Sequence, residues 1–121
     1  MKIVKMNVMG KEIMFVCQFR NTRNGFAHDA HMFINGLELS DATCHYLNRT
    51  WESWNYQSVC LECCSNRIKF LEGRLKDDYK RNRGISRMTA KHTEALSEII
   101  KTDKDIALLK AIKKNLNDNQ Y

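Results

Sequence analysis

The hydrophobic period of this chain changes once along its length, and that change restricts its fold more than any other feature. From Glu12 to Arg20, Ile13, Phe15, Cys17 and Phe19 recur at every second residue, while Met14 and Val16 imply partial burial of the other face too. The first four keep strict period two, the pattern of a strand with one buried face. From Tyr56 onward apolar side chains fall at Tyr56, Cys60, Cys64, Ile68, Leu71, Leu75 and Tyr79, three or four residues apart. Such spacing draws one stripe along a helix. A chain that opens in sheet and continues in helix is an α+β protein.

Turn signals divide the first part. Lys2–Val8 is short and β-branched, and Met9-Gly10-Lys11 offers a turn. Asn24-Gly25 and Asn35-Gly36 are two more turns, because both residue types tolerate positive φ. With Phe26–Ile34 as a third strand, residues 1–36 read as a three-stranded antiparallel meander. Residues 40–117 read as three to four helices. Ser40 is placed to cap a short helix over Asp41–Leu47. The long stripe implies a helix starting within Thr50 to Asn55 and ending at Asn82-Arg83-Gly84. Gly73 lies inside it at a cost of about 1 kcal/mol. Thr89 is placed to cap a third helix with Ala95, Leu96, Ile99 and Ile100 on its apolar face. Thr102 or Asp103 would cap a last one, carrying Ile106, Leu109, Ile112 and Leu116. At 121 residues this is the expectation for a single domain, 1–121.

Composition removes several classes. A hydrophobic share of 43% is too high for a disordered chain. No apolar run is long enough for a transmembrane helix, and the first residues lack the apolar core of a secretion signal. The expected location is therefore the cytoplasm, with no membrane contact. In that reducing compartment the five cysteines are thiols or metal ligands rather than disulfides.

Cys60-Leu61-Glu62-Cys63-Cys64 is the densest chemical run. On a helix Cys60 shares a face with Cys63 and Cys64, and zinc needs converging thiolates, usually four ligands in a tetrahedron. Cys44 lies sixteen residues before Cys60, giving C-x15-C-x2-C, and His31 adds an imidazole. The expected ligands of a structural zinc are four among Cys44, Cys60, Cys63, Cys64 and His31. Buried thiols explain the same residues, since free cysteine is a common small core side chain. Cys17 is the cysteine least expected to bind metal, because its strand already accounts for it. His28 and His31 form HxxH on a strand and so face opposite ways, a poor chelate. Cys63 beside a basic or histidine neighbour is a candidate nucleophile. No P-loop, GxGxxG, HExxH or GxSxG accompanies it, and the chain reads as a non-enzyme.

Charge is divided between the halves. Residues 1–64 carry six basic and six acidic side chains, whereas residues 65–121 carry 14 and 8 and hold the whole excess of +6. Between Arg67 and Lys91 nine basic residues face three acidic ones. Lys80, Arg81, Arg83, Arg87 and Lys91 are the expected partner-binding residues. Such density suits phosphate contacts or an acidic protein surface, and equally a solvated helix face. Trp51, Trp54 and Tyr56 read as core between the short and long helices, or as an interaction patch beside Arg49.

Four segments appear in a familiar order: Asn21-Thr22-Arg23-Asn24-Gly25-Phe26-Ala27-His28, Ile34-Asn35-Gly36, Tyr46-Leu47-Asn48-Arg49-Thr50-Trp51-Glu52 and Arg87-Met88-Thr89-Ala90-Lys91. This order resembles small proteins encoded by phages and mobile elements of Gram-positive bacteria, roughly from Phe19 to Leu96. The cysteine cluster departs from that pattern, which places ordinary apolar residues there. In size and economy the chain is similar to anti-CRISPR proteins, some of which inhibit the RNA-guided nuclease of type II-A systems and some of which are metal-stabilised. The resemblance implies a stoichiometric inhibitor of a host protein that seats Arg81, Arg83 and Arg87 against an acidic patch. A small basic nucleic-acid-binding accessory protein is the competing expectation.

Overall fold

The computed structural model describes residues 1–48, 55–81 and 90–119, with the helical side chains of 78–81 and 90–96 left aside. The chain is α+β: β1 (Lys2–Val8), β2 (Lys11–Thr22), β3 (Gly25–Ile34), β4 (Leu37–Tyr46), α1 (Gln57–Arg81) and α2 (Ala90–Asp118). The strands form one antiparallel sheet in sequence order. Two tight loops connect β1 to β2 and β3 to β4. Met9 and Gly10 take φ of 53° and 76°, and Asn35 and Gly36 take 50° and 82°. Positive φ at both central residues gives the turn whose twist matches a hairpin. At the middle connection Thr22 pairs with Gly25, so Arg23-Asn24 form the loop and Gly25 opens β3. A Cβ at Gly25 would run into the Tyr46 backbone carbonyl oxygen.

One face of the sheet carries the core. Val4, Met6 and Val8 of β1, Ile13, Phe15 and Cys17 of β2, Ala30 and Met32 of β3 and Ala42 of β4 are buried beneath the helices. From α1 come Val59, Cys60, Cys63, Cys64, Ile68 and Leu71, and from α2 Ile106, Leu109, Ile112 and Leu116. Each large aliphatic or aromatic side chain taken from water contributes about 1.5–3 kcal/mol. Polar ties fix the layers in register. The Ser40 hydroxyl donates to the Cys63 carbonyl at 2.9 Å, and Asn66 Nδ2 donates to the Asp41 carbonyl at 3.2 Å. Between the helices Gln57 Nε2 donates to the Leu116 carbonyl at 2.7 Å, and Lys113 Nζ donates to Ser65 Oγ at 3.0 Å. The opposite sheet face carries the Arg20–Asp29 ion pair at 2.9 Å, with Thr43 Oγ1 donating to the same carboxylate. Those bonds, Arg20 first, hold the Asp29 carboxyl below its ordinary range.

Two expectations are corrected. The sheet has a fourth strand, Leu37–Tyr46, where a short helix over Asp41–Leu47 was expected. Ser40 bonds across to α1 instead of capping a helix. A register shift between Met32 and Phe33, against Ser40 and Glu38, turns Ser40, Ala42, Cys44 and Tyr46 toward the helices. Pairing with β3 satisfies the backbone groups along one edge of this segment, and that gain overrides its modest strand propensity. The expected third and fourth helices are one helix, Ala90–Asp118, so there are two helices among the described residues rather than three to four. Thr102 is not a cap. Its hydroxyl donates back to the Glu98 carbonyl at 2.9 Å, four residues earlier in the same helix. α1 starts at Gln57, two residues beyond the expected Thr50 to Asn55, and Asn55 Oδ1 accepts from the Gln57 amide at 3.1 Å just before it. Asn82-Arg83-Gly84, Thr89, Trp51 and Trp54 lie outside the described residues.

Candidate functional site

The α1 stripe places three cysteines against the sheet, each with a different neighbour. Cys60 Sγ lies 3.7 Å from Cys17 Sγ of β2, a thiol–thiol hydrogen bond. The Cys63 thiol donates to the Ala30 carbonyl at 3.4 Å, and Cys64 Sγ meets Met32 Sδ at 4.0 Å. Cys17, Cys60, Cys63 and Cys64 are all fully buried, and Cys44 is half-buried. Their surroundings raise the pKa of four of these thiols, whereas the hydrogen bond with Cys60 lowers that of Cys17 against its burial. The bond to Cys17, with burial behind it, pushes Cys60 up. Burial does the same to Cys63, helped by the neighbouring Cys64, and lifts Cys64 to about 12 against the pull of Lys113. Cys44 is raised by burial and by Glu62.

The five expected zinc ligands are not brought together. Cys60, Cys63 and Cys64 point at three separate contacts. His31 lies on the other sheet face, exposed, with Nδ1 2.6 Å from Glu38 Oε1. Among the described residues no three His, Cys, Asp or Glu side chains converge as a metal ion requires. The residues as packed fit a thiol core rather than a tetrahedral cage. Cys63, the candidate nucleophile, is a buried thiol bonded to a backbone carbonyl. The partner of Cys60 is Cys17, 43 residues away, a pairing that no local spacing announces.

His28 faces inward, as the strand period requires, and is 2% exposed. Its ring sits 4.3 Å from Tyr56, 5.1 Å from Tyr46 and 5.8 Å from Phe26, with Phe19 at 6.3 Å. Nδ1 has no hydrogen-bond partner among the described residues. Burial lowers the imidazole pKa from its ordinary 6.5, and Asp29 only partly opposes that. The side chain is therefore a neutral packing element.

A cleft opens at the other end of the sheet, where both type-I′ hairpin tips meet the helices. One lobe of about 310 Å³ lies between Ile34, Leu37 and Leu39 of the β3–β4 hairpin, Arg67 and Leu71 of α1, and Leu108 and Leu109 of α2. A second, of about 470 Å³, reaches Met9 and Lys104. The lobes share Lys11, Lys101, Asp105 and Leu108. Arg67 is held with its guanidinium carbon 4.9 Å from the Phe70 ring centre. Five elements and one turn contribute to this cleft, and for that reason no motif marks it in the sequence.

Of the expected partner-binding residues, Lys80 and Arg81 end α1 and Lys91 begins α2, with side chains outside the described set. Arg83 and Arg87 lie outside the described residues. The nearest described cations, Lys69, Arg74 and Lys76 of α1 and Lys101 and Lys104 of α2, are exposed. No helix among the described residues is long and apolar enough to cross a membrane. No protein-family model matches this chain, and neither a curated protein nor a solved structure matches it.

Proposed function

We propose that this chain is a non-enzymatic binding protein that docks a basic helical layer on an acidic surface of a host protein. The observation that carries this reading is the division of charge across the fold. The helices bury their apolar stripe on the sheet, the whole excess of +6 lies in residues 65–121, and α1 turns Lys69, Arg74 and Lys76 to solvent. Complementary charge steers association and sets register. Burial of the thiols supports a binding role over thiol chemistry. The resemblance to phage proteins makes the RNA-guided nuclease of a type II-A CRISPR system the first partner to test.

The test mixes the purified protein with that nuclease and its guide and follows DNA cleavage. Inhibition should saturate near equimolar protein, and the double variant Arg74→Glu/Lys76→Glu should weaken it at least tenfold. If the nuclease is unaffected, capture from host lysate at moderate salt extends the search, with the same variant as control. Retention of no acidic partner would sink the proposal. The competing reading, nucleic-acid binding, draws on the nine-to-three basic excess between Arg67 and Lys91. It requires binding to labelled DNA or RNA that falls steeply with salt.

A further inference from the structure

The corner cleft combines three properties that single exposed side chains do not. Its floor is apolar: Ile34, Leu39, Leu71, Leu108 and Leu109. Its rim carries four cations, Lys11, Arg67, Lys101 and Lys104, against one carboxylate, Asp105. At its mouth stand Met9 and Leu37, 69% and 67% exposed, one on each hairpin tip. Scattered apolar residues on a surface are ordinary. Two of them flanking an apolar trough inside a charged rim have the anatomy of a protein interface, with an apolar centre and a polar edge.

We propose that this cleft receives an acidic segment of a partner protein, one that alternates carboxylates with large aliphatic side chains. The inference rests on the protein-binding reading above and gives the contact a place and a chemistry. The carboxylates pair with Lys11, Arg67, Lys101 and Lys104, and the aliphatic groups cover Met9 and Leu37 and enter the two lobes. A nucleic acid would satisfy the rim but leave the floor and the mouth uncovered. A small amphiphile seated within one lobe would leave Met9 and Leu37 in water. A second copy of this chain would bring another net +6 to a basic rim.

The test uses the full chain and short fluorescein-labelled peptides, with binding read by anisotropy. An alternating Asp/Leu peptide should bind, and Asp/Ser and Lys/Leu peptides of equal length should bind at least tenfold more weakly. Leu37→Asp and Lys101→Glu alter exposed side chains, so circular dichroism should be unchanged. Each should weaken the Asp/Leu peptide at least tenfold, and raised salt should weaken it further. Equal binding of the Asp/Ser peptide would overturn the proposal, as would indifference to both variants. Two further results would also overturn it, each by naming another occupant. One is displacement of the peptide by decanoate at stoichiometric amounts. The other is a dimer in sedimentation that Leu37→Asp dissolves. If partner capture survives both cleft variants but is lost in Arg74→Glu/Lys76→Glu, the cleft is wrong and the binding-protein reading stands. If no acidic partner binds at all, both fail.

Discussion

Replacing His28 by leucine tests the physical account of the sheet most directly. In the unfolded chain this imidazole takes up a proton near pH 6.5, whereas in the fold burial holds its pKa lower. Aromatic faces at 4.3 and 5.1 Å would favour an imidazolium by about 0.5–2 kcal/mol. Removing a charge from water costs several kcal/mol, so burial wins and the folded ring stays neutral. Below pH 6.5 the unfolded chain therefore binds more protons than the native one, and acid destabilises the fold. The His28 contribution to stability is complete above that pH. It declines by up to about 1.4 kcal/mol per pH unit on acidification, until the folded pKa is reached. Leucine has similar bulk and cannot titrate. At pH 7.5 two effects of His28→Leu nearly cancel. Removal of an unpartnered buried nitrogen gains about 1 kcal/mol, and loss of ring packing on Tyr56 costs about 0.5–1.5 kcal/mol. At pH 5 the variant should gain on the parent, relative to its difference at pH 7.5, by up to about 2 kcal/mol. Urea unfolding followed by circular dichroism at pH 5, 6 and 7.5 measures this, with His45→Gln as a control. Parallel stability curves for parent and His28→Leu across that range would refute the reasoning.

Other outcomes follow from the same packing. Gly25→Ala forces a Cβ against the Tyr46 carbonyl and should cost about 2 kcal/mol or more in thermal or urea unfolding. At Gly10, where no described residue lies within reach of a Cβ, only the positive φ is penalised, and Gly10→Ala should cost about 1 kcal/mol. A thiol reagent on native protein should modify Cys44 first and leave Cys17, Cys60, Cys63 and Cys64 unreacted until urea opens the core, because those four are fully buried. Fast labelling of two or more thiols would contradict that packing. Metal analysis separates a thiol core from a zinc cage. Protein purified without chelator should hold less than roughly half an equivalent of zinc, and its melting temperature should not move with chelator, since a structural metal's binding energy is folding energy.

Local chemistry made much of the fold legible. Met9-Gly10 and Asn35-Gly36 form turns in any context that lets their backbones take positive φ, and both do so here. The stripe from Cys60 to Leu71 is buried as its spacing requires, with Val59 and Cys63 widening it. Leu37–Tyr46 was not legible as a strand, because its hydrogen bonds go to β3 and its Ser40 hydroxyl goes to α1. Thr102 carried a cap signal that an unbroken helix cancels by bonding the hydroxyl to its own preceding turn.

The candidate sites divide the same way. Sequence alone determined that the chain passes from sheet to helix, that its charge lies in the helical half, and that His28 and His31 face opposite ways. Those are consequences of period and composition, which act along the chain. Only the tertiary structure decided that Cys60 meets Cys17, that His31 stands apart from the α1 thiols, and that Lys11, Leu37, Arg67 and Lys101 surround one cleft. Those pairings depend on which faces close on one another when apolar surface leaves water. That drive is roughly proportional to area and carries no direction, so its outcome is set by the packed whole rather than by any segment.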